Sequence, residues 1–101
     1  MNGATLLKCI CEESRFNILE MLQKNKEMSV GQLTIILKKD QPLVSHHLRA
    51  LKECGIVKTR ESGKMTMYSI ANKDIARLID HIVRTSEKMA TICCDMPGCQ
   101  V

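Results

Sequence analysis

From Gln41 to Val57 the chain reads Gln-Pro-Leu-Val-Ser-His-His-Leu-Arg-Ala-Leu-Lys-Glu-Cys-Gly-Ile-Val, and this stretch constrains the fold more than any other. It has a helix start, two distinct faces and a stop. Asp40 stands where a helix cap belongs, and Pro42 falls in the first turn, where a missing N–H costs little. Leu43, Val44, Leu48 and Leu51 recur at helical spacing and define an apolar side. Ser45, His46, Arg49 and Lys52 make the other side polar and cationic. Gly55 supplies a left-handed residue to end the helix, and Ile56-Val57 begins an extended segment.

The flanking segments give this helix a setting. Leu6, Leu7 and Ile10 indicate a short first helix, and Ser14 to Gln23 a second with Ile18, Leu19 and Leu22 inward. Asn25-Lys26-Glu27 is a polar break. Ser29-Val-Gly-Gln32 matches a capping box and opens a third helix through Leu33, Ile36 and Leu37. Lys38-Lys39-Asp40 leaves room only for a tight turn, so the third and fourth helices form a helix-turn-helix. Ile56 to Glu61 and Met65 to Ile70 alternate around Ser62-Gly63-Lys64, which predicts a β-hairpin with Gly63 at positive φ. A hairpin directly after such a helix, cationic at its tip, is a wing. Asn72 then caps a long last helix whose stripe runs through Ile75, Leu78, Ile79, Ile82, Val83, Met89 and Ala90. That stripe exceeds what so small a domain needs to cover itself, which predicts a homodimer. Asp95-Met-Pro-Gly98 breaks the helix. The expected fold is mainly α with a small β-hairpin, in the order α-α-α-α-β-β-α. Residues 1–92 would form the DNA-binding and dimerisation domain, and 93–101 a cysteine-containing tail.

Charge placement narrows the partner. Residues 38 to 64 hold seven basic and three acidic side chains, so the whole net charge of +4 lies on the central third of the chain. A polyanion-binding face on a neutral scaffold fits that distribution. No apolar run approaches the ~18 residues of a membrane span, and the expected location is cytoplasmic. No nucleophile–base pair, paired carboxylates or phosphate-binding loop points to an enzyme. The six cysteines are bunched at the ends, Cys9 and Cys11 against Cys93, Cys94 and Cys99, with Cys54 apart. In a reducing compartment that pattern means metal or redox chemistry more often than a disulfide framework.

Taken jointly, Glu13-Ser-Arg15, Ser29-Val-Gly-Gln-Leu33, Val44-Ser-His-His-Leu48, Leu51-Lys-Glu-Cys-Gly-Ile-Val57 and Gly63-Lys-Met-Thr-Met-Tyr68 resemble the ArsR–SmtB family of winged-helix repressors over roughly residues 6 to 85. The resemblance implies a homodimer, paired through its first and last helices, on double-stranded operator DNA. Ser45, His46 and Arg49 would face the major groove, with Gln41 near the helix start. Lys38, Lys39 and Lys52 would contact phosphates, and Arg60 and Lys64 on the wing the minor groove or flanking backbone. His46 and His47 point about 100° apart on a helix, which makes them poor joint ligands for one ion.

The resemblance also implies an inducer, commonly a metal or metalloid held by thiolates or imidazoles. The thiol pair that some members carry near Thr34 to Leu37 is absent, and Asp80 and His81 do not match the spacing of the zinc- or nickel-type site. Cys93, Cys94 and Cys99 look like the C-terminal thiols of some arsenic-responsive members. Three soft thiolates suit As(III) or Sb(III), with no organic cofactor. Cys9 and Cys11 could add thiols from the other subunit, giving a four-thiolate Cd or Zn site. Cys54 reads as structural. Two other readings stay open: a thiol redox or persulfide-sensing repressor, and a metal-binding protein without DNA function.

Overall fold

A computed structural model of the chain describes the backbone of residues 1–93 and the side chains of residues 1–89. Its elements, in order, are α1 (Gly3–Ile10), α2 (Glu13–Asn25), β1 (Met28–Ser29), α3 (Val30–Leu37), α4 (Gln41–Glu53), β2 (Val57–Ser62), β3 (Met65–Ile70) and α5 (Lys73–Cys93). This is a winged helix-turn-helix, mainly helical, as the sequence predicts.

Local chemistry sets the helix ends. The Ser29 hydroxyl accepts from the Gln32 N–H at 3.2 Å, while the Gln32 side chain accepts from the Ser29 N–H at 2.9 Å. The capping box therefore forms and starts α3. That helix stops on Lys38, whose left-handed backbone (φ 54°, ψ 43°) turns the chain into α4. Asp40 holds the N-cap position of α4, but its carboxylate makes no capping hydrogen bond; only its backbone carbonyl accepts, from the Val44 N–H. At the far end, Gly55 (φ +78°) donates to the Lys52 carbonyl and Ile56 to the Leu51 carbonyl. These two bonds form a Schellman motif, closed by the buried pair Leu51 and Ile56. The Asn72 side chain accepts from the Ile75 N–H at 2.9 Å and starts α5.

The core is aliphatic. Ile18, Leu19 and Leu22 of α2 meet Leu33 of α3, Val44, Leu48 and Leu51 of α4, Ile56, and Ile79 of α5, all essentially solvent-free. Phe16 and Tyr68 pack only at its edge. Each fully buried Leu or Ile contributes roughly 1.5–3 kcal/mol of transfer free energy, so α4 is held by its inner face. Two residues expected to face inward do not. Leu43 is 40% exposed and Ile36 is 48% exposed. Each sits about 80–90° from the centre of its helix's buried stripe, where one residue of helical rotation decides burial. On α4 the place expected for Leu43 is taken by His47, which is 8% exposed.

The hairpin pairs Val57 with Ile70 through Ser62 with Met65, and Gly63 turns at φ +62°. A third strand, β1, which the polar break Asn25 to Glu27 gave no reason to expect, adds to the hairpin in the order β1-β3-β2. Met28 pairs with Tyr68 and Ser29 with Met67. The wing is thereby fastened to the start of α3. Among the described residues no helix is long and apolar enough to cross a membrane.

Candidate nucleic-acid interface

The inner face of α4, locked into the core, fixes what its outer face presents. Gln41, His46, Arg49 and Lys52 are exposed along α4, and Ser45 is half-buried beside them. Lys38 and Lys39 are exposed in the turn just before α4, and Lys64 at the tip of the wing. The three-residue turn sets Lys38 and Lys39 at the start of α4, and the wing that carries Lys64 begins two residues after Gly55. A helix of this length with a cationic flank at each end has the form that lies in a DNA major groove.

Arg60 is also on the wing, but its guanidinium is engaged. Its Nε donates to Glu27 Oε2 at 2.9 Å and its Nη2 to Glu27 Oε1 at 2.8 Å, a two-pronged bridge from β2 across β3 to the segment before β1. Hydrogen bonding to Arg60 holds the Glu27 carboxyl below its ordinary range and pushes the guanidinium up. Arg60 is exposed and Glu27 only half-buried, so water screens the bridge and it aligns the wing more than it stabilises the fold.

The two adjacent histidines divide as helical rotation requires. His46 points to solvent, whereas His47 is buried between α4 and the start of α2. Arg15 Nε donates to His47 Nδ1 at 3.3 Å, which leaves the ring proton on Nε2, 3.5 Å from Glu12 Oε2. Glu12 is also the N-cap of α2, accepting from the Arg15 N–H at 3.0 Å. Burial pushes the His47 imidazole below its ordinary pKa, helped by the Arg15 and His46 charges and opposed by Glu12. For Glu12 itself, desolvation raises the carboxyl. The backbone donors Arg15 and Ser14, with the His47 and Arg15 charges, outweigh it and bring the carboxyl below the ordinary range. Glu12, Arg15 and His47 thus tie α4 to the α1–α2 junction. In the sequence this pair is marked only by its spacing of three, one helical turn.

The thiols fall into two groups. Cys9 is buried and Cys11 exposed, since residues two apart on a helical turn point in different directions. Cys54, at the C-cap of α4, is half-buried against the same core as Cys9. Cys93 is the last residue of α5, while Cys94 and Cys99 lie outside the described residues. Among the described residues, no three His, Cys, Asp or Glu side chains are grouped to hold a metal ion. Along α5, Ile75, Leu78, Ile82 and Val83 are half-buried and Met89 is 45% exposed, with Leu7 of α1 at 59%. That leaves an apolar surface on the first and last helices.

Comparisons with known proteins agree with this geometry. The chain is 39% identical over 83 residues to an uncharacterized HTH-type transcriptional regulator of Methanocaldococcus jannaschii, covering 79% of this chain and 93% of that one. It is 29% identical over 92 residues to a cadmium resistance transcriptional regulatory protein CadC homolog of Staphylococcus aureus, covering 91% and 76%. Among solved structures, reduced HlyU from Vibrio cholerae superposes with a TM-score of 0.76 at 34% identity, covering 82% of this chain and 86% of that one. A homodimeric winged helix-turn-helix DNA-binding domain from Mycobacterium bovis superposes at 0.73 with 28% identity, covering 87% and 92%. The model described as bacterial regulatory protein, arsR family, matches residues 8–59. With half the chain matched by that model, and with the relative of Methanocaldococcus jannaschii 39% identical over 79% of the chain, this protein belongs to the arsR family of bacterial regulatory proteins.

Proposed function

We propose that the protein is a homodimeric transcriptional repressor released from its operator by a thiolate-bound metalloid, As(III) or Sb(III), at Cys93, Cys94 and Cys99. The observation that carries the DNA half is the outer face of α4: exposed Gln41, His46 and Arg49 on a helix whose inner face is fixed in the core. Ser45, His46 and Arg49 read base edges, with Gln41 at the helix start. Lys38, Lys39 and Lys52 hold phosphates, and Lys64 carries the wing contact. Arg60 joins them by exchanging Glu27 for a phosphate. Two copies paired through α1 and α5 would set their α4 helices ~34 Å apart, one turn of duplex. The half-buried stripe on α5 and exposed Leu7 support that pairing.

The inducer half rests on donor chemistry. Three thiols within seven residues favour soft, sulfur-seeking ions. An arsenic resistance regulator of Pseudomonas putida is 27% identical over 78% of this chain, and the cadmium resistance relative supports Cd as the alternative ion; Zn is a further alternative only because it too takes thiolate ligands. Cys11, exposed at the end of α1, is the better placed N-terminal thiol to add a ligand; Cys9 is turned into the core. Release requires that the ion bind more tightly to a dimer geometry that no longer spans successive grooves. The test is binding of the dimer to a duplex from its own promoter region, with and without arsenite. Salt-sensitive binding lost on adding arsenite supports the proposal. Failure to bind that duplex at low salt refutes the DNA half, and binding indifferent to arsenite refutes the inducer half.

A further inference from the structure

Three cations and one carboxylate share a cleft at the base of the wing. Lys26 and Glu27, in the segment between α2 and β1, line it together with Lys58 and Arg60 of β2. Lys58 and Arg60 are two residues apart on one strand, so their side chains leave the same face of the hairpin. Glu27 meets that face from the far edge of the sheet, because it immediately precedes β1 and the strand order is β1-β3-β2. Its two carboxylate oxygens take both prongs of the Arg60 guanidinium, at 2.8 and 2.9 Å. The neighbouring acid, Glu61, lies on the opposite face and accepts from the Thr66 hydroxyl at 3.2 Å. Among the described residues that line the cleft, Glu27 is the only acid. Lys26 and Lys58 are exposed and form no ion pair within 4 Å among the described residues. A carboxylate seated on an arginine fork presents the same pair of oxygens that a phosphate would.

We propose that this cleft is a site for a backbone phosphate of the bound duplex, and that Glu27 is its built-in competitor. The carboxylate holds Arg60 in the free protein and is displaced when the phosphate takes its place. This rests on the DNA half of the function proposed above, and adds the residue that sets how hard the wing grips. It is independent of the inducer and of Cys93, Cys94 and Cys99. Lys26 and Lys58 flank the fork, so an incoming phosphate meets three positive charges, one of which Glu27 neutralises until then. The Arg60 side chain is 59% exposed and that of Glu27 35%, so the arginine is the partner with room to turn toward the duplex. One anion replaces another, and what the exchange costs is the ion pair of the free protein. An exposed ion pair is worth a factor of about 1.5–5, so with one bridge in each protomer Glu27 lowers the affinity of a dimer for DNA about 2- to 25-fold.

The test is a double-mutant cycle on the full chain: wild type, Glu27→Gln, Arg60→Gln and the two together, each titrated at low salt onto a duplex from the protein's own promoter region. Glutamine removes each charge at similar length, and the water-screened bridge contributes little to stability, so the four proteins fold alike. Glu27→Gln should bind about 2- to 25-fold more tightly than the wild type, and most of that gain should vanish when Arg60→Gln is also present. An equal gain with and without Arg60 would mean that the lost negative charge acts on the duplex directly, and would overturn the proposal. So would unchanged or weaker binding by Glu27→Gln, the result expected if the bridge only stiffens the wing. A wild type that binds the duplex beside a Glu27→Gln that binds no better removes this proposal alone. A wild type that fails to bind at low salt removes the DNA half of the proposed function, and this proposal with it.

Discussion

Replacing His47 by alanine, beside the same change at His46, tests the division of labour on α4 at its narrowest point. The His47 side chain is 10% exposed and accepts a hydrogen bond from the Arg15 guanidinium at 3.3 Å. A hydrogen bond to a charged group contributes about 1.5–3 kcal/mol, and the space left by the imidazole adds about 1 kcal/mol. The 3.5 Å approach to half-exposed Glu12 adds little, because water screens that carboxylate. Arg15 can partly recover by turning to water, so the expected loss for His47→Ala is about 2–4 kcal/mol. With a denaturant slope of about 1–3 kcal/mol/M, the urea midpoint should fall by about 1–2 M at fixed protein concentration. His47→Asn, which keeps an acceptor near the Nδ1 position, should recover roughly half of that. His46→Ala should leave stability within about 0.5 kcal/mol, since the residue is exposed and alanine favours helix. It should instead weaken DNA binding by about tenfold if His46 meets a base edge. Equal shifts in the urea midpoint for the two alanine variants would refute this assignment of the inward and outward faces.

Other perturbations address neighbouring parts of the account. Folded His47 is depressed below its ordinary 6.5, so just below that pH the unfolded chain binds a proton that the folded chain does not. Stability should therefore be full above about pH 6.5 and decline as pH falls below it. Denaturation of His47→Asn across pH 5 to 7.5 should show a flatter dependence, and an unchanged slope would contradict the assignment. At Gly55, with φ +78° and no atom within 4 Å of an added Cβ, alanine meets only backbone strain. Gly55→Ala should cost about 1–2 kcal/mol in thermal or urea unfolding, and no measurable cost would contradict a strained cap there. Arg49→Ala should relax sequence preference, whereas Lys52→Ala should weaken all duplexes alike and reduce the salt slope by about 1. Titrations at several salt concentrations separate the two, and a reversed pattern would exchange their roles.

The parts of the fold that could be read from sequence are those whose causes are local. Ser29 and Gln32 satisfy one another within one turn, and Gly55 and Gly63 mark positions where a side chain is strained. The stripe of Val44, Leu48 and Leu51 follows from helical rotation alone. What escaped depends on contacts between distant segments. Strand β1 has two residues, too few to show a period, and exists because β3 offers it an edge. Helical spacing placed Leu43 inward, but the buried stripe is centred nearer His47, whose polarity is tolerable only because Arg15 arrives from α2. Arg60 reads as a wing cation until Glu27, 33 residues earlier, is found bonded to it. Cys54 reads as structural from the sequence, and the structure leaves it half-buried against the core at the C-cap of α4.

The most direct measurement of the central claim is the arsenite concentration that halves operator occupancy for the wild-type dimer and for Cys94→Ser/Cys99→Ser. If the C-terminal thiols hold the inducer, the wild type should dissociate at low arsenite. The variant should bind the duplex as tightly as the wild type and stay bound throughout. Release of the variant at the same arsenite concentration would contradict the account and move the sensing site elsewhere in the chain.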